Sequence, residues 1–235
     1  MNVVTLKQIG KTYHLDAVSV PALIDINLEI RPNCFTVISG PSGSGKTTLL
    51  NLIGCIDHPD SGEINVAGEA VQKLSDDALS DFRARHLGFI FQNFNLLPVL
   101  TVEENVEYPL LLAHVPKAER KRRVATLLEA VGIADKALAI PGQLSGGQRQ
   151  RVAIARALAP SPNLVLADEP TANLDSHTGA AIISLMRDMQ RELHVSFVFS
   201  SHDPKVMAEA DDAVLIRDGR IEDIVRRPLP AEVAK

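Results

Sequence analysis

FTVIS at 35–39 runs straight into GPSGSGKTT at 40–48, and TTLLNLIGCI at 47–56 carries helical apolar spacing behind it. No other stretch constrains the fold as tightly. A buried strand, a glycine-rich loop and a helix in that order fit G-x-x-x-x-G-K-[ST] at every fixed position, from Gly40 to Gly45, Lys46 and Thr47. Across Gly40, Ser42, Gly43, Ser44 and Gly45, such a loop turns successive backbone N–H groups toward phosphate oxygens. Lys46 brings a point charge for the β- and γ-phosphates, Thr47 offers its hydroxyl to Mg²⁺, and Thr48 follows on the same turn. The dipole of the helix adds to the stabilisation of an anion at its start. The stretch therefore predicts a nucleoside triphosphate site.

A phosphate loop needs a carboxylate for its metal. LVLADEP at 164–170 ends an apolar strand on Asp168 and Glu169. Asp168 would hold Mg²⁺ through water. Glu169 would point elsewhere and could polarise an attacking water.

Around these two strands the patterns fall into groups. VVTLK (3–7), IDINLEI (24–30) and GEINVAG (62–68) alternate and predict an antiparallel patch. NLVLAD (163–168) and VSFVFSS (195–201) predict buried parallel strands, with a helix over 176–193 between them. Asp218-Gly219 separates two apolar runs and marks a hairpin turn. From about 93 to 160 little strand pattern appears. Val124, Leu127, Leu128 and Val131 fall at helical spacing, and Gly132 follows as a stop. This middle reads as a helical lobe, and residues 226–235 read as a loose tail.

The 235 residues suit one large domain, or a domain with an inserted lobe. Lys and Arg total 24 against 29 Asp and Glu, aromatics are 4% and tryptophan is absent. That balance argues against general binding to a nucleic-acid backbone and against stacking platforms for bases, so nucleic acid is not expected as a partner. The basic run KAERKRR at 117–123 contains Glu119 and reads as the wet face of a helix. Cys34 and Cys55 match no zinc spacing and no disulfide framework, and read as small core residues in a reducing compartment. The start, MNVVTLKQIGKTY, lacks the apolar segment of a leader, and no run approaches the roughly 18 apolar residues of a spanning helix. Work at a membrane would need other subunits to hold the chain there.

A second anion cradle complicates this picture. LSGGQ at 144–148 sets two adjacent glycines ahead of an amphipathic helix, RQRVAIARAL. With the remaining motifs in order, this resembles the ATP-binding cassette (ABC) ATPases. Gln92 in FIFQNFN sits where the family's Q-loop falls, ANLD (172–175) follows as the D-loop, and SSHD (200–203) carries His202 as the switch histidine. Tyr13 in GKTYHL matches the aromatic that stacks on adenine. The resemblance covers about residues 1–222, with a short tail over 223–235. It implies an α/β phosphate-loop (RecA-like) core with an antiparallel β subdomain and an inserted helical lobe at about 93–160.

The resemblance also implies roles. Two copies would pack head to tail, so that ATP on one chain's phosphate loop is covered by Ser145, Gly146, Gly147 and Gln148 of the other. Glu169, His202 and Gln92 would serve hydrolysis, with Thr47, Gln92 and Asp168 around Mg²⁺, and Asp175 would reach across the dimer. Integral membrane permease subunits would be the further partners, placing the chain in the cytoplasm on the inner face of the cell membrane. The apolar stretch NFNLLPVLTVEENVEYPLLL (93–112) would either face such a partner or fill the lobe's core. HLGFIFQNFNLLPVLTVEENV and ADEPTANLDS resemble the lipoprotein-release and macrolide-efflux branch (LolD/MacB type), with Ala172 in place of that branch's usual glycine. The alternatives are an importer ATPase of the polar amino-acid type and a non-transport complex of division or signalling. The cargo is not legible.

Overall fold

The computed structural model describes residues 2–15, 18–201 and 203–228. The chain opens with β1 (Val4–Leu15), β2 (Val18–Ile30) and β3 (Phe35–Ser39), and then α1 (Lys46–Ile53). β4 (Ser61–Val66) and β5 (Glu69–Ala70) lead to α2 (Asp76–His86) and β6 (Leu87–Ile90). Next come α3 (Val102–Leu112), α4 (Lys117–Ala130) and α5 (Gly146–Leu158). β7 (Leu164–Asp168), α6 (Ser176–Leu193), β8 (Ser196–Ser200) and α7 (Pro204–Ala208) follow, and β9 (Asp212–Arg217) and β10 (Arg220–Arg226) close the described chain.

The strands form two sheets. One has the order β2-β1-β4-β5 and is antiparallel. Ile26, Leu28 and Ile30 face inward on β2 while Asp25, Asn27 and Glu29 face out, which is the alternation of a sheet wet on one side. The other sheet has the order β10-β9-β3-β8-β7-β6 and is parallel except at β10. β3 and β8 are buried at every residue, and this is why FTVIS and SFVFS read as continuous apolar runs.

Side chains leave the parallel sheet toward two cores. Phe35, Val37, Phe197 and Phe199 join α6, α5 and the helices of the lobe. Ile38, Val198, Val214 and Ile216 join α1 and the antiparallel sheet. The three phenylalanines pack with ring centroids 4.6 and 5.9 Å apart, each pair worth about 1 kcal/mol beyond its burial. Asp211 binds this layer together. It accepts from Arg187 of α6 at 2.6 Å and from the Phe35 amide at 2.9 Å. Burial alone would raise its carboxyl; Arg187 and the amide outweigh that and hold it below the ordinary carboxylate range.

The expected antiparallel patch, parallel strands, 176–193 helix and hairpin are all present. Asp218 and Gly219 turn with φ of +46° and +72°. Between 93 and 160 the described elements are helical, and Gly132 (φ +70°) follows the end of α4. Two expectations change. β10 pairs with β9 as far as Arg226, so residues 223–226 belong to the sheet and not to a tail. α5 packs on β6 and α6 as well as on α3 and α4, so the lobe shares one core with the sheet. His202 and residues 229–235 lie outside the described residues. Cys34 and Cys55 are buried free thiols, and burial pushes both up to about 11. Among the described residues, no helix is long and apolar enough to cross a membrane.

Candidate functional site

The parallel strands β3, β7 and β8 end together, and the site is built on those ends, where ligands of open α/β sheets bind. β3 gives way at Gly40 to the glycine-rich loop. Gly45 caps α1 with φ +104°, and a Cβ there would lie 2.6 Å from the Ala22 carbonyl oxygen, so only glycine closes the loop against β2. No side chain caps this helix, which leaves its first N–H groups to face an anion. Lys46 is 8% exposed and folds back to donate to the carbonyls of Gly40 (2.9 Å) and Pro41 (2.8 Å). Ser44 Oγ is buried with no hydrogen-bond partner among the described residues.

Across the loop, Thr47 Oγ1 donates to the Asp168 carboxylate, 3.1 and 3.3 Å from its two oxygens. A hydroxyl and a carboxylate this close are hard oxygen donors, which suit Mg²⁺. Glu169 follows at the strand end with φ +45°. Its amide donates to Ser200 Oγ at 3.0 Å, and Ser200 Oγ donates to Asp168 Oδ1 at 2.6 Å. A cleft of about 730 Å³ opens here, lined by Tyr13, by Glu169 and by the loop from Gly40 to Thr48 except Ser44.

Tyr13 forms the far wall and is fastened there. Its hydroxyl donates to Asp57 at 2.9 Å, and Lys11 stands 5.3 Å from the ring centre. Burial and the Asp57 bond both push the phenol above its ordinary value. Burial would raise Asp57 as well, but Lys11, the His58 amide and Tyr13 together hold it low. The ring is 37% exposed toward the cleft's mouth, so a planar group could stack on it.

The structure therefore brings together Tyr13, Gly40, Ser42, Gly43, Gly45, Lys46, Thr47, Thr48, Asp168 and Glu169, with Ser44 beneath the loop. It places the rest elsewhere. Gln92 is exposed and does not line the cleft; its carbonyl accepts from Asn173 Nδ2 at 2.9 Å. Ser145 caps α5 and exchanges a capping box with Gln148, at 3.3 and 2.9 Å. Gly146 and Gly147 pack against the D-loop and the start of α6, and a Cβ at Gly147 would meet Thr178 Cγ2 at 2.6 Å. Asp175 caps α6, accepting from the amides of His177 and Thr178 and from the Thr178 hydroxyl at 2.6 Å. Both of its carboxylate oxygens accept within the chain, which holds the side chain at the start of α6. None of residues 145–148 lines the cleft.

Sequence reasoning passed over several contributors. Asn173 ties the D-loop to both Gln92 and Asn93. Arg156 of α5 donates to the carbonyls of Phe94 and Asn95, and Arg149 stands 5.2 Å from the Phe94 ring. Buried Asn105 knits the loop at 97–101 to α3 with four hydrogen bonds. The segment after Gln92 is thus held by α3, by α5 and by the D-loop.

Fold and site define a phosphate-loop nucleoside triphosphatase with a second glycine-rich helix start outside its own cleft. The family model for ABC transporters matches residues 23–172. The chain is 48% identical over 225 residues to an ABC transporter ATP-binding protein of Thermotoga maritima, covering 96% of each. It is 44% identical over 216 residues to the macrolide export ATP-binding/permease protein MacB of Photorhabdus laumondii, covering 92% of this chain and 33% of MacB. It superposes with a TM-score of 0.88 on the cassette MJ0796, solved as a dimer in a post-hydrolysis state bound to ADP and Pi. That match has 41% identity and covers 97% of this chain and all of that one. The chain belongs to the ABC transporter family, as its ATPase component.

Proposed function

We propose that two copies of the chain close around ATP and that this closing and opening drives separate permease subunits in a membrane. One observation carries the reading. The chain has two glycine-rich helix starts, and the second, Ser145–Gln148, does not line the cleft formed by the first. A second copy is what would bring them to one nucleotide. The dimeric form of MJ0796 supports this arrangement.

The roles follow from the geometry. Tyr13 would stack on adenine. Lys46 would exchange two neutral carbonyls for phosphate oxygens, a charge-assisted bond roughly twice as strong. The loop amides would donate to the remaining phosphate oxygens. Thr47 and Asp168 would hold Mg²⁺, which when bound neutralises charge on the β- and γ-phosphates. Glu169 would take a proton from the attacking water, with His202 and the Gln92 side chain helping to place that water. From the partner copy, Ser145 would donate its hydroxyl, since its cap uses only the oxygen as acceptor, and Gly146 and Gly147 would add backbone amides, while the Gln148 amide stays in the cap. An interface that depends on the γ-phosphate loosens once that group leaves, which makes the dimer a two-state element.

The permease would dock on the helical lobe. Leu97, Val99, Tyr108, Leu111 and Leu112 are exposed in one stretch around α3, from 37% to 84%. Likeness to MacB, whose chain includes a permease, favours the efflux and force-transmission branch over an importer. The chain would then lie at the inner face of the cell membrane through its partners. Glu169→Gln tests the chemistry: ATP binding should persist while turnover falls by roughly 10²–10⁴-fold, as for a lost general base. A wild-type rate would remove Glu169 from that role.

A further inference from the structure

Behind Asp168 and Glu169 lies the first side chain of SSHD (200–203), a position to which the motif gives no role. Ser200 ends β8, and it is fully buried. Phe197, Val198 and Phe199 before it are buried and apolar, so packing alone would suit another apolar residue there. A buried hydroxyl is costly unless it is bonded. Ser200 uses both capacities of its oxygen. The O–H donates to Asp168 Oδ1 at 2.6 Å, and the oxygen accepts the Glu169 amide at 3.0 Å.

The register places it for this. Ser200 pairs with Asp168 across β7 and β8, and with Ile38, two residues before the phosphate loop, across β3. Its bond to Asp168 is shorter than the 3.1 and 3.3 Å from Thr47, so Ser200 is the firmer anchor of that carboxylate. Glu169 adopts φ +45°, a left-handed conformation that costs a residue bearing a Cβ about 1 kcal/mol. Two bonds hold it there: its amide to Ser200, and its carbonyl, which accepts from the Ala172 amide at 3.1 Å. The bond to Ser200 fixes the peptide plane about which φ of Glu169 turns, and a swing toward ordinary φ would carry the carbonyl off the Ala172 amide and re-aim the side chain.

We propose that Ser200 is a positioning residue for ATP hydrolysis, one hydroxyl fixing both the Asp168 carboxylate and the backbone turn that aims Glu169. The proposal rests on the roles given above to Asp168 and Glu169. Ser200 is buried, so it acts through these two residues and not on the nucleotide.

Ser200→Ala removes the hydroxyl at little change in volume, and Ser200→Thr keeps it. For both, kcat and KM for ATP would be measured beside the thermal melt. The Mn²⁺ affinity of the AMP-PNP complex would be read by electron paramagnetic resonance. Partners that orient metal-binding side chains are worth roughly 10–100-fold in activity or metal affinity. Ser200→Ala is expected to lose kcat on that scale with KM nearly unchanged, to weaken Mn²⁺ binding, and to melt near the wild-type temperature; Ser200→Thr is expected to recover most of kcat. Wild-type kcat and Mn²⁺ affinity in Ser200→Ala would overturn the proposal. Equal losses in Ala and Thr would also overturn it, because the hydroxyl would then not be what matters. Glu169→Gln run alongside separates the two levels. If it is inactive while Ser200→Ala is wild type, only the positioning role fails; if it turns over normally, the assignment beneath it fails.

Discussion

Lys46 is the side chain on which nucleotide binding turns. Its ammonium is nearly buried and is held by two carbonyls of its own loop, 2.8 and 2.9 Å away. Lys46→Ala would remove the one full positive charge the loop offers to phosphate. A lost partner of a buried charge pair costs about 2–5 kcal/mol, on the order of 10²-fold in affinity. Titration of a fluorescent ATP analogue checks this, and retained affinity would count against the phosphate-loop reading. At this scale legibility was uneven for a physical reason. Lys46, Thr47 and Asp168 stand in fixed patterns because backbone geometry and charge must coincide around a phosphate. Ser200, Asn173 and Asn105 act by hydrogen bonds that depend on which strands and loops are neighbours. A lone Ser or Asn in a sequence carries no trace of that. Asp175 stands in a legible motif, and what the sequence did not show is that its carboxylate caps α6.

Elements show the same division. β3, the phosphate loop and α1 were legible because glycine placement and apolar runs agree there. β6 was not, because Leu87–Ile90 is a four-residue strand at the sheet's edge, too short for a period to show. α2 was missed as well, since only Leu79 and Phe82 of its eleven residues are buried. The stretch at 93–112 was read as either core or partner surface, and α3 divides it. Val102, Val106 and Leu110 face inward while Tyr108, Leu111 and Leu112 face out. One face of the helix fills the core and the other is exposed. The start of α5 carries the prediction that belongs to this scale. Ser145 is exposed, and its cap is worth about 1 kcal/mol, small beside the stability of a folded domain. Ser145→Arg should therefore fold and bind ATP as the wild type does, yet block ATP-driven pairing, because bulk and a second charge would enter the nucleotide sandwich. Normal pairing on a sizing column would contradict this.

The whole molecule joins two cores through one sheet. The antiparallel sheet and α1 form one side, and the lobe with α5 and α6 forms the other. The phosphate loop belongs to the first side and the LSGGQ helix start to the second. A sequence lists both but not the distance between them, so family resemblance had to supply the second copy. In the structure the separation is visible within one chain, since the cleft at the phosphate loop excludes residues 145–148. The segment after Gln92 is fixed on the second side, by Asn173 of the D-loop and by Arg156 of α5.

The central claim is that the two cradles meet across chains on one ATP. It is tested most directly by the mass of purified Glu169→Gln in solution, by light scattering, with and without Mg-ATP. The account predicts a monomer without nucleotide and a dimer with it. A protein that stays monomeric with saturating Mg-ATP, both alone and with its copurified membrane partner, would contradict it.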